Sequence, residues 1–221
     1  AAYGNTTGTE NIGIGHNALF ASSTGNYNVA IGGFALDANT TASNNTAVGY
    51  NALTANTTGT LNTAIGSTAL EANTTGGLNV AVGSRVLPDN TTGNDNVGVG
   101  EATLYVNTTG SRNVALGRGV LQNSNSDDNV GIGYRAMHNA TSGTDSVAIG
   151  SDALFTATTA NNNVAIGYYA LRLNTTGGNN VAVGESAGDT ITTGGQNVIL
   201  GTSSDTTTAG SSYVTAIGYN V

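Results

Sequence analysis

The chain has 221 residues, 33 of them glycine, with one proline, no cysteine and only 8% charged residues. Thirteen acidic residues outnumber five arginines, and lysine is absent, so the formal net charge is -8. This charge argues against nucleic acid as a partner, because phosphate binding needs a basic stripe. The absence of cysteine excludes disulfides and thiolate chemistry. No apolar run approaches the ~18 residues of a transmembrane helix, so we expect no membrane insertion.

One short segment, Asn-Val-Ala-Ile-Gly or a close variant, recurs along the whole chain. The step is 17 residues, except for one step of 16 between Asn113 and Asn129. Thirteen copies leave no room for a linker, so we expect one repeat domain over residues 1–221, as a section of a longer fibre. The copies begin at Asn11, Asn28, Asn45, Asn62, Asn79, Asn96, Asn113, Asn129, Ser146, Asn163, Asn180, Asn197 and Val214.

Each copy contains the same predicted elements in chain order. The consensus is N-V-A-I-G-x-x-A-L-x-x-N-T-T-G-x-x, and we number its positions 1 to 17 from the leading Asn. Positions 2 to 4 alternate a β-branched residue or Leu with a small residue, which is the pattern of a strand. The invariant Gly at position 5 suits a tight turn or a positive φ. Ala-Leu at positions 8 and 9 forms a short apolar edge, and Asn-Thr-Thr-Gly at positions 12 to 15 predicts a second turn.

Seventeen residues are too few for a pair of helices but enough for one coil of a β-solenoid. We therefore predict an all-β fold, a parallel β-solenoid (β-roll or β-helix) of about 13 coils with 17 residues per coil. Successive coils would stack as parallel strands ~4.8 Å apart and give a rod of roughly 60 Å. No coil can bury its own apolar face, but stacking builds a continuous core.

The small residues at position 3 predict that the strand is covered on both faces, one by the chain's own core and the other by another chain. We expect a parallel homotrimer with this column at its interface. The alternative is that the column fills a narrow core within one chain, while Val and Ile face the partner. The predicted interface column consists of Ala30, Ala47, Ala64, Ala81, Ala115, Ala148, Ala165 and Ala182.

Two further columns are predicted to have different roles. The leading Asn, present in 11 of 13 copies, predicts a structural ladder of side-chain hydrogen bonds along the stack. The residues after the closing Gly vary, which indicates a surface. Tyrosines there are candidates for contact with a receptor or a sugar; the alternative, which we favour, is that they pack on neighbouring loops. They are Tyr50, Tyr134, Tyr168, Tyr169 and Tyr219.

The repeats resemble two groups of known proteins. "NVAIG" at residues 28–32 and 163–167 and "SVAIG" at 146–150 are similar to the head repeats of trimeric autotransporter adhesins. "NTTGTLNTAIGSTAL" at 56–70 resembles repeats of phage tail fibres and bacterial surface proteins. The adhesin repeat is shorter, about 14 residues, and forms a left-handed parallel β-roll that trimerises; the resemblance implies a trimeric, extracellular, adhesive or fibre-forming role and carries over no catalytic residue.

Catalytic and metal motifs are weak in this sequence. "GESAG" at residues 184–188 has the spacing of a nucleophile elbow, which needs a following helix and a later histidine. The segment "DTITTGG" that follows is no helix, and the only histidines, His16 and His138, lie upstream. Asp95 does not recur as a calcium-binding repeat requires. We expect no enzyme activity, no cofactor and no metal.

The expected function is therefore that of a structural or adhesive fibre segment, from a phage tail fibre or a bacterial surface adhesin. It would be extracellular, on a virion tail or a cell surface, and would bind a host receptor or glycan. Two alternatives remain: a self-assembling filament subunit that stacks head to tail, and an ice-binding solenoid with stacked Thr columns. Against ice binding, two adjacent Thr residues cannot both face outward on a strand.

Overall fold

The computed structural model describes residues 4–221 and shows a parallel β-solenoid, as the repeat predicts. The chain divides into two compact units, Ala1–Arg112 and Asn113–Val221. The first unit contains strands β1 Ile12–Ile14, β2 Val29–Ile31, β3 Thr46–Val48, β4 Thr63–Ile65, β5 Val80–Val82 and β6 Val97–Val99. The second contains β7 Val114–Leu116, β8 Val130–Ile132, β9 Val147–Ile149, β10 Val164–Ile166, β11 Val181–Val183, β12 Val198–Leu200 and β13 Thr215–Ile217.

Within each unit, every strand pairs in parallel with the strand of the next coil, in the register set by the repeat. Val80 lies beside Val97, for example, and Val164 beside Val181. Residues 4–221 contain no helix that could span a membrane.

The core of each coil is narrow and consists of small residues facing one large one. Leu70 at position 9 and Ala64 and Ala81 at position 3 have no exposed surface. Each buried Leu adopts a left-handed backbone, with φ of 52° at Leu70. This conformation costs a non-glycine residue about 1–2 kcal/mol, which burial of a Leu side chain, at about 1.5–3 kcal/mol, offsets. The buried side chains at position 9 are Leu19, Leu36, Leu53, Leu70, Leu87, Leu104, Leu121, Met137, Leu154 and Leu171.

Where a core side chain is larger than usual, the side chain opposite is smaller. Position 8 is Val rather than Ala at Val86 and Val120, and position 3 of the following coil is then Gly98 or Gly131. A Cβ on Gly98 would lie 2.6 Å from Val86 Cγ1, and one on Gly131 would lie 2.5 Å from Val120 Cγ1. Carbon atoms pack at about 3.5–4.0 Å, so neither site has room for alanine.

Two ladders of buried asparagines join successive coils. At position 1, the Asn79 N–H donates to Asn62 Oδ1 at 3.0 Å, and Asn79 Nδ2 donates to the Gly93 carbonyl at 2.8 Å. At position 12, Asn73 Nδ2 donates to Asn56 Oδ1 at 2.9 Å. The predicted Asn ladder is confirmed, and the amides of Asn73 and Asn79 find the partners that burial requires.

The 16-residue coil keeps its strand register and loses its residue in the Asn-Thr-Thr-Gly turn. Val114 still pairs with Val130. Asn113 Nδ2 donates to the Ser126 carbonyl at 2.7 Å, whereas Asn62 in a full-length coil donates to Gly76 at 2.9 Å. Ser126 therefore takes the place of the turn glycine, one residue earlier.

The closing glycine at position 5 adopts a positive φ in all thirteen copies, between 121° and 149°. A Cβ on Gly66 would lie 2.2 Å from the Gly83 carbonyl oxygen. Glycine is required here both by the backbone conformation and by the close approach of the next coil.

Candidate functional site

Each unit exposes an apolar face formed by the side chains at positions 2 and 4 of its strands, which we call the sheet face. Ile65 is 41% exposed and Ile166 is 37% exposed, while the residue between positions 2 and 4 points into the core. Parallel sheets are normally covered on both faces, and a contiguous exposed apolar patch marks an interaction site. Its most exposed members are Ile12, Ile14, Ile31, Ile65, Val99, Ile166, Val183, Val198 and Ile217.

The column predicted to form an oligomer interface lies elsewhere, inside the chain. Ala30, Ala47, Ala64, Ala81, Ala115, Ala148, Ala165 and Ala182 each have 0% exposed surface within a single chain. They pack in the coil interior, so none of them can contact a second chain, and their assignment to an interface is wrong. Position 3 fills the narrow core, and the residues available to a partner are Val and Ile at positions 2 and 4.

The paired threonines divide between structure and surface. Thr74 Oγ1 donates to the Thr91 carbonyl of the next coil at 3.1 Å, so the first Thr of each pair supports the stack. The second Thr of each pair faces solvent and forms a single row within each unit; these residues are Thr41, Thr58, Thr75, Thr92, Thr109, Thr159, Thr176 and Thr193. A flat array of Thr side chains for ice binding would need more than one row, and a single row of hydroxyls on a turn does not form such an array. This arrangement therefore does not support ice binding.

The structure separates two of the candidate tyrosines from the other three. Tyr50 stands edge-on to Phe34, with ring centroids 6.1 Å apart, and Phe34 stands edge-on to His16 at 5.2 Å. Tyr219 in the final coil is 79% exposed.

Tyr134, Tyr168 and Tyr169 belong to what we call the tyrosine–arginine cluster, formed by eight residues of three successive coils. The Arg135 guanidinium lies 4.4 Å from the Phe155 ring centroid and 5.3 Å from that of Tyr134. Arg172 lies 4.3 Å above Tyr169, which stacks on Tyr168 with ring centroids 3.7 Å apart. The members are Tyr134, Arg135, His138, Asp152, Phe155, Tyr168, Tyr169 and Arg172.

One carboxylate links the two halves of this cluster. Asp152 Oδ1 lies 3.0 Å from Arg135 Nε, and the Asp152 side chain is 10% exposed. The hydrogen bond with Tyr169 is the main cause that raises the pKa of Tyr168, and the Asp152 charge adds to it. Cation–π contacts of this kind contribute about 0.5–2 kcal/mol each, so they favour this arrangement of the aromatic side chains.

The coil period could have identified some further members of this cluster, the residues at position 10. His138, Phe155 and Arg172 are spaced by 17 residues and share position 10, which the stack aligns in one column. Tyr134 and Tyr168 are two periods apart and share position 6. The tyrosines were identified from the sequence, but their neighbours at position 10 were not.

The candidate catalytic serine lies in a backbone conformation that the whole repeat shares. Ser186 has φ of 52°, but so do its equivalents at position 7, such as Asn51 at 54°. Its φ is thus a property of the coil and not of a nucleophile elbow. His138 lies three coils away, about 14 Å along the stack. Among residues 4–221, no three His, Asp or Glu side chains are placed to hold a metal ion.

Comparison with known proteins gives no relative from which a role could be transferred. No family model, no curated protein and no solved structure matches this chain.

Proposed function

We propose that the chain is a non-enzymatic segment of an extracellular fibre, in which the sheet faces of identical chains pack against one another. A homotrimer is the simplest assembly, with the Val and Ile columns at its centre. The turns on the other sides of the coils would be displayed to a receptor, on a virion tail or on a cell surface.

The exposed sheet face is the observation that carries this proposal. Backbone hydrogen bonds run between coils of the same chain, as from the Val80 N–H to the Asn96 carbonyl at 2.8 Å. The sheet face therefore needs no further backbone partner, but its Val and Ile side chains remain half-exposed to water. Covering them stabilises by about 25 cal/mol for each Å² removed from water. A self-complementary face repeated along the stack suits a symmetric homo-oligomer.

The scarcity of cationic side chains supports an external location. Five arginines and no lysine leave few sites for trypsin-like proteases, and a chain without cysteine needs no particular redox environment.

Light scattering coupled to size exclusion tests the assembly. A trimer of the 21.8 kDa chain has a mass of 3 × 21.8 = 65.4 kDa. We expect this mass for the wild type and a monomer for the double variant Ile65→Glu/Val82→Glu, which places two charges in one column of the sheet face. The matched control Thr58→Glu/Thr75→Glu adds the same charge to an exposed turn column and should remain trimeric.

Three results would contradict the proposal. A monomeric wild type would remove self-association, and an unchanged mass of Ile65→Glu/Val82→Glu would place the interface elsewhere. Long polydisperse assemblies under the electron microscope would instead indicate head-to-tail stacking.

A further inference from the structure

The Asn-Thr-Thr-Gly turns contain a modification signal in addition to their structural role. Asn at position 12 with Thr at position 14 forms an N-x-Thr sequon, the acceptor sequence for N-linked glycosylation. A glycan is bulky and hydrophilic, so a modified Asn lies at the surface of a folded protein. In six turns, however, the Asn of the sequon has 0% exposed surface: Asn39, Asn56, Asn73, Asn90, Asn107 and Asn174.

The nitrogen atom that would carry the glycan is fully engaged in the folded chain. Asn73 Nδ2 donates to Asn56 Oδ1 at 2.9 Å and to the Gly76 carbonyl at 2.9 Å. Asn90 Nδ2 makes the equivalent bonds, to Asn73 Oδ1 at 2.8 Å and to the Gly93 carbonyl at 3.1 Å. A side-chain amide has two N–H hydrogens. Both are used here, so replacement of one by a sugar breaks a bond of the ladder.

The position-12 column also has no space for a sugar ring. Successive coils are about 4.8 Å apart, and Asn56, Asn73 and Asn90 follow one another without any exposed surface. A ring attached to Asn73 Nδ2 would have to displace the neighbouring coils, although even a few extra methylene groups in a packed core cost about 1–3 kcal/mol. The fold and a glycan at these asparagines therefore exclude each other.

The glycosylation step itself needs only an accessible asparagine. Nδ2 attacks C1 of an oligosaccharide that is linked to a lipid diphosphate. The C1–N bond forms, the C1–O bond to the diphosphate breaks, the lipid diphosphate leaves, and the amide loses one proton. In this chain each acceptor stays accessible until further coils have been synthesised, because a repeat is buried only by stacking on its neighbours.

We propose that N-glycosylation prevents this chain from folding, because its six buried sequons are acceptors in the unfolded chain that the folded chain cannot accommodate once modified. The chain then reaches its fold only when it is synthesised away from an oligosaccharyltransferase that recognises N-x-Thr. This proposal depends neither on self-association nor on a receptor. It can be tested at position 14, where the second Thr completes the sequon but faces solvent.

Production of the full chain by two routes tests the proposal: in the cytosol of bacteria that lack the transferase, and through the secretory pathway of cultured human cells. We expect the bacterial wild type to be unmodified and folded. The secreted-route wild type should lose mass on enzymatic deglycosylation, and proteinase K should degrade it at least tenfold faster. A sixfold variant that removes the buried sequons but keeps every ladder Asn should fold by both routes; its substitutions are Thr41→Ala, Thr58→Ala, Thr75→Ala, Thr92→Ala, Thr109→Ala and Thr176→Ala.

Asn44 provides the matched control. It begins the sequon Asn44-Asn45-Thr46, and its side chain is exposed. Asn44→Gln removes this exposed sequon and leaves the six buried ones, so it should fail to fold by the secretory route, as the wild type does. The sixfold variant retains Asn44, and mass spectrometry of its peptides should find a glycan there in folded, secreted protein.

Three results would overturn the proposal. The first is a secreted-route wild type that carries glycans at position 12 yet resists proteinase K as the bacterial protein does. The second is a folded wild type from that route with these asparagines unmodified, which would show that they are buried before the transferase reaches them. The third is a sixfold variant that folds in bacteria but not by the secretory route. Circular dichroism of the bacterial proteins verifies that the substitutions themselves leave the coils folded.

Discussion

The pairing of Val86 with Gly98 predicts that two damaging substitutions compensate each other. Alanine at position 98 alone places Cβ 2.6 Å from Val86 Cγ1, about 1 Å closer than carbon atoms pack. Such overpacking costs about 1–3 kcal/mol. Alanine at position 86 alone removes two methyl groups, worth about 1.6 kcal/mol, and the cavity that remains adds to this cost.

The double variant Val86→Ala/Gly98→Ala restores the alanine pair that other coils contain, such as Ala69 with Ala81. It loses one methyl group in total, about 0.8 kcal/mol, and the replacement of Gly in a compatible strand returns about 0.4–1 kcal/mol. We expect each single variant to lose about 2 kcal/mol and the double variant less than 1 kcal/mol, a coupling of about -3 kcal/mol.

Urea denaturation followed by circular dichroism, on all four members of the cycle, measures this coupling. Additive losses, with the double variant about 4 kcal/mol less stable than the wild type, would refute direct packing between these two side chains.

Three further predictions follow the same logic. Gly32→Ala should lower the free energy of unfolding, measured by urea denaturation, by about 2–5 kcal/mol, because φ is 135° and the added Cβ would lie 2.4 Å from the Gly49 carbonyl oxygen. In the control Gly33→Ala, the added Cβ meets only a Tyr50 ring atom at 3.5 Å, and the free energy of unfolding should change by no more than about 1 kcal/mol. Equal losses in the two variants would show that the close approach at Gly32 is not the cause. Asn73→Ala breaks bonds to Asn56 and Gly76 and removes one of the two acceptors of the Asn90 amide, which keeps its bond to the Gly93 carbonyl. It should lower the free energy of unfolding by about 3 kcal/mol, whereas the exposed control Thr75→Ala should change it by less than about 0.5 kcal/mol. Burial and the nearby Asp205 raise the pKa of Asp189 above 3.8, so the folded state binds the Asp189 proton more tightly than the unfolded chain does. The contribution of protonated Asp189 to stability is therefore present below pH 3.8 and is lost as the pH rises through the folded-state pKa. Asp189→Asn should remove this pH dependence from urea midpoints measured between pH 3 and 7, and parallel pH profiles of variant and wild type would show that the pair has no such role.

The strands, their register and the role of the closing glycine could be predicted because each depends on a local rule. A β-branched residue at every second position marks a strand, and a constant period fixes which residues become neighbours. The confirmed partners, such as Val80 with Val97, follow from the period alone.

The side of the strand that faces inward could not be predicted in the same way. Alternation shows that Ala64 and Ile65 point in opposite directions, but small residues suit a thin core as well as a tight interface. The outcome depends on Leu70, whose buried side chain fills the space opposite the strand. Its left-handed backbone has no signal in the sequence, since Leu rarely adopts that conformation.

The tyrosine–arginine cluster was predictable in part. The tyrosines stood out as departures from the consensus, and the period aligns Tyr134 with Tyr168. The contact between Arg135 and Phe155, however, depends on how close positions 7 and 10 of successive coils come to each other in the fold. The repeat period shows which residues occupy equivalent positions in successive coils, but it does not show which different positions come into contact.

The shortened coil shows how a protein of this kind can change its length. Removal of one residue is tolerated where Ser126 replaces the turn glycine, and the strand pairing of Val114 with Val130 continues undisturbed. Loss of a residue from the strand itself would instead exchange the inward and outward sides of the remaining residues of that strand. Insertion or deletion of a whole 17-residue coil would keep the inward and outward sides of every strand, and each such change would lengthen or shorten the stack by about 4.8 Å.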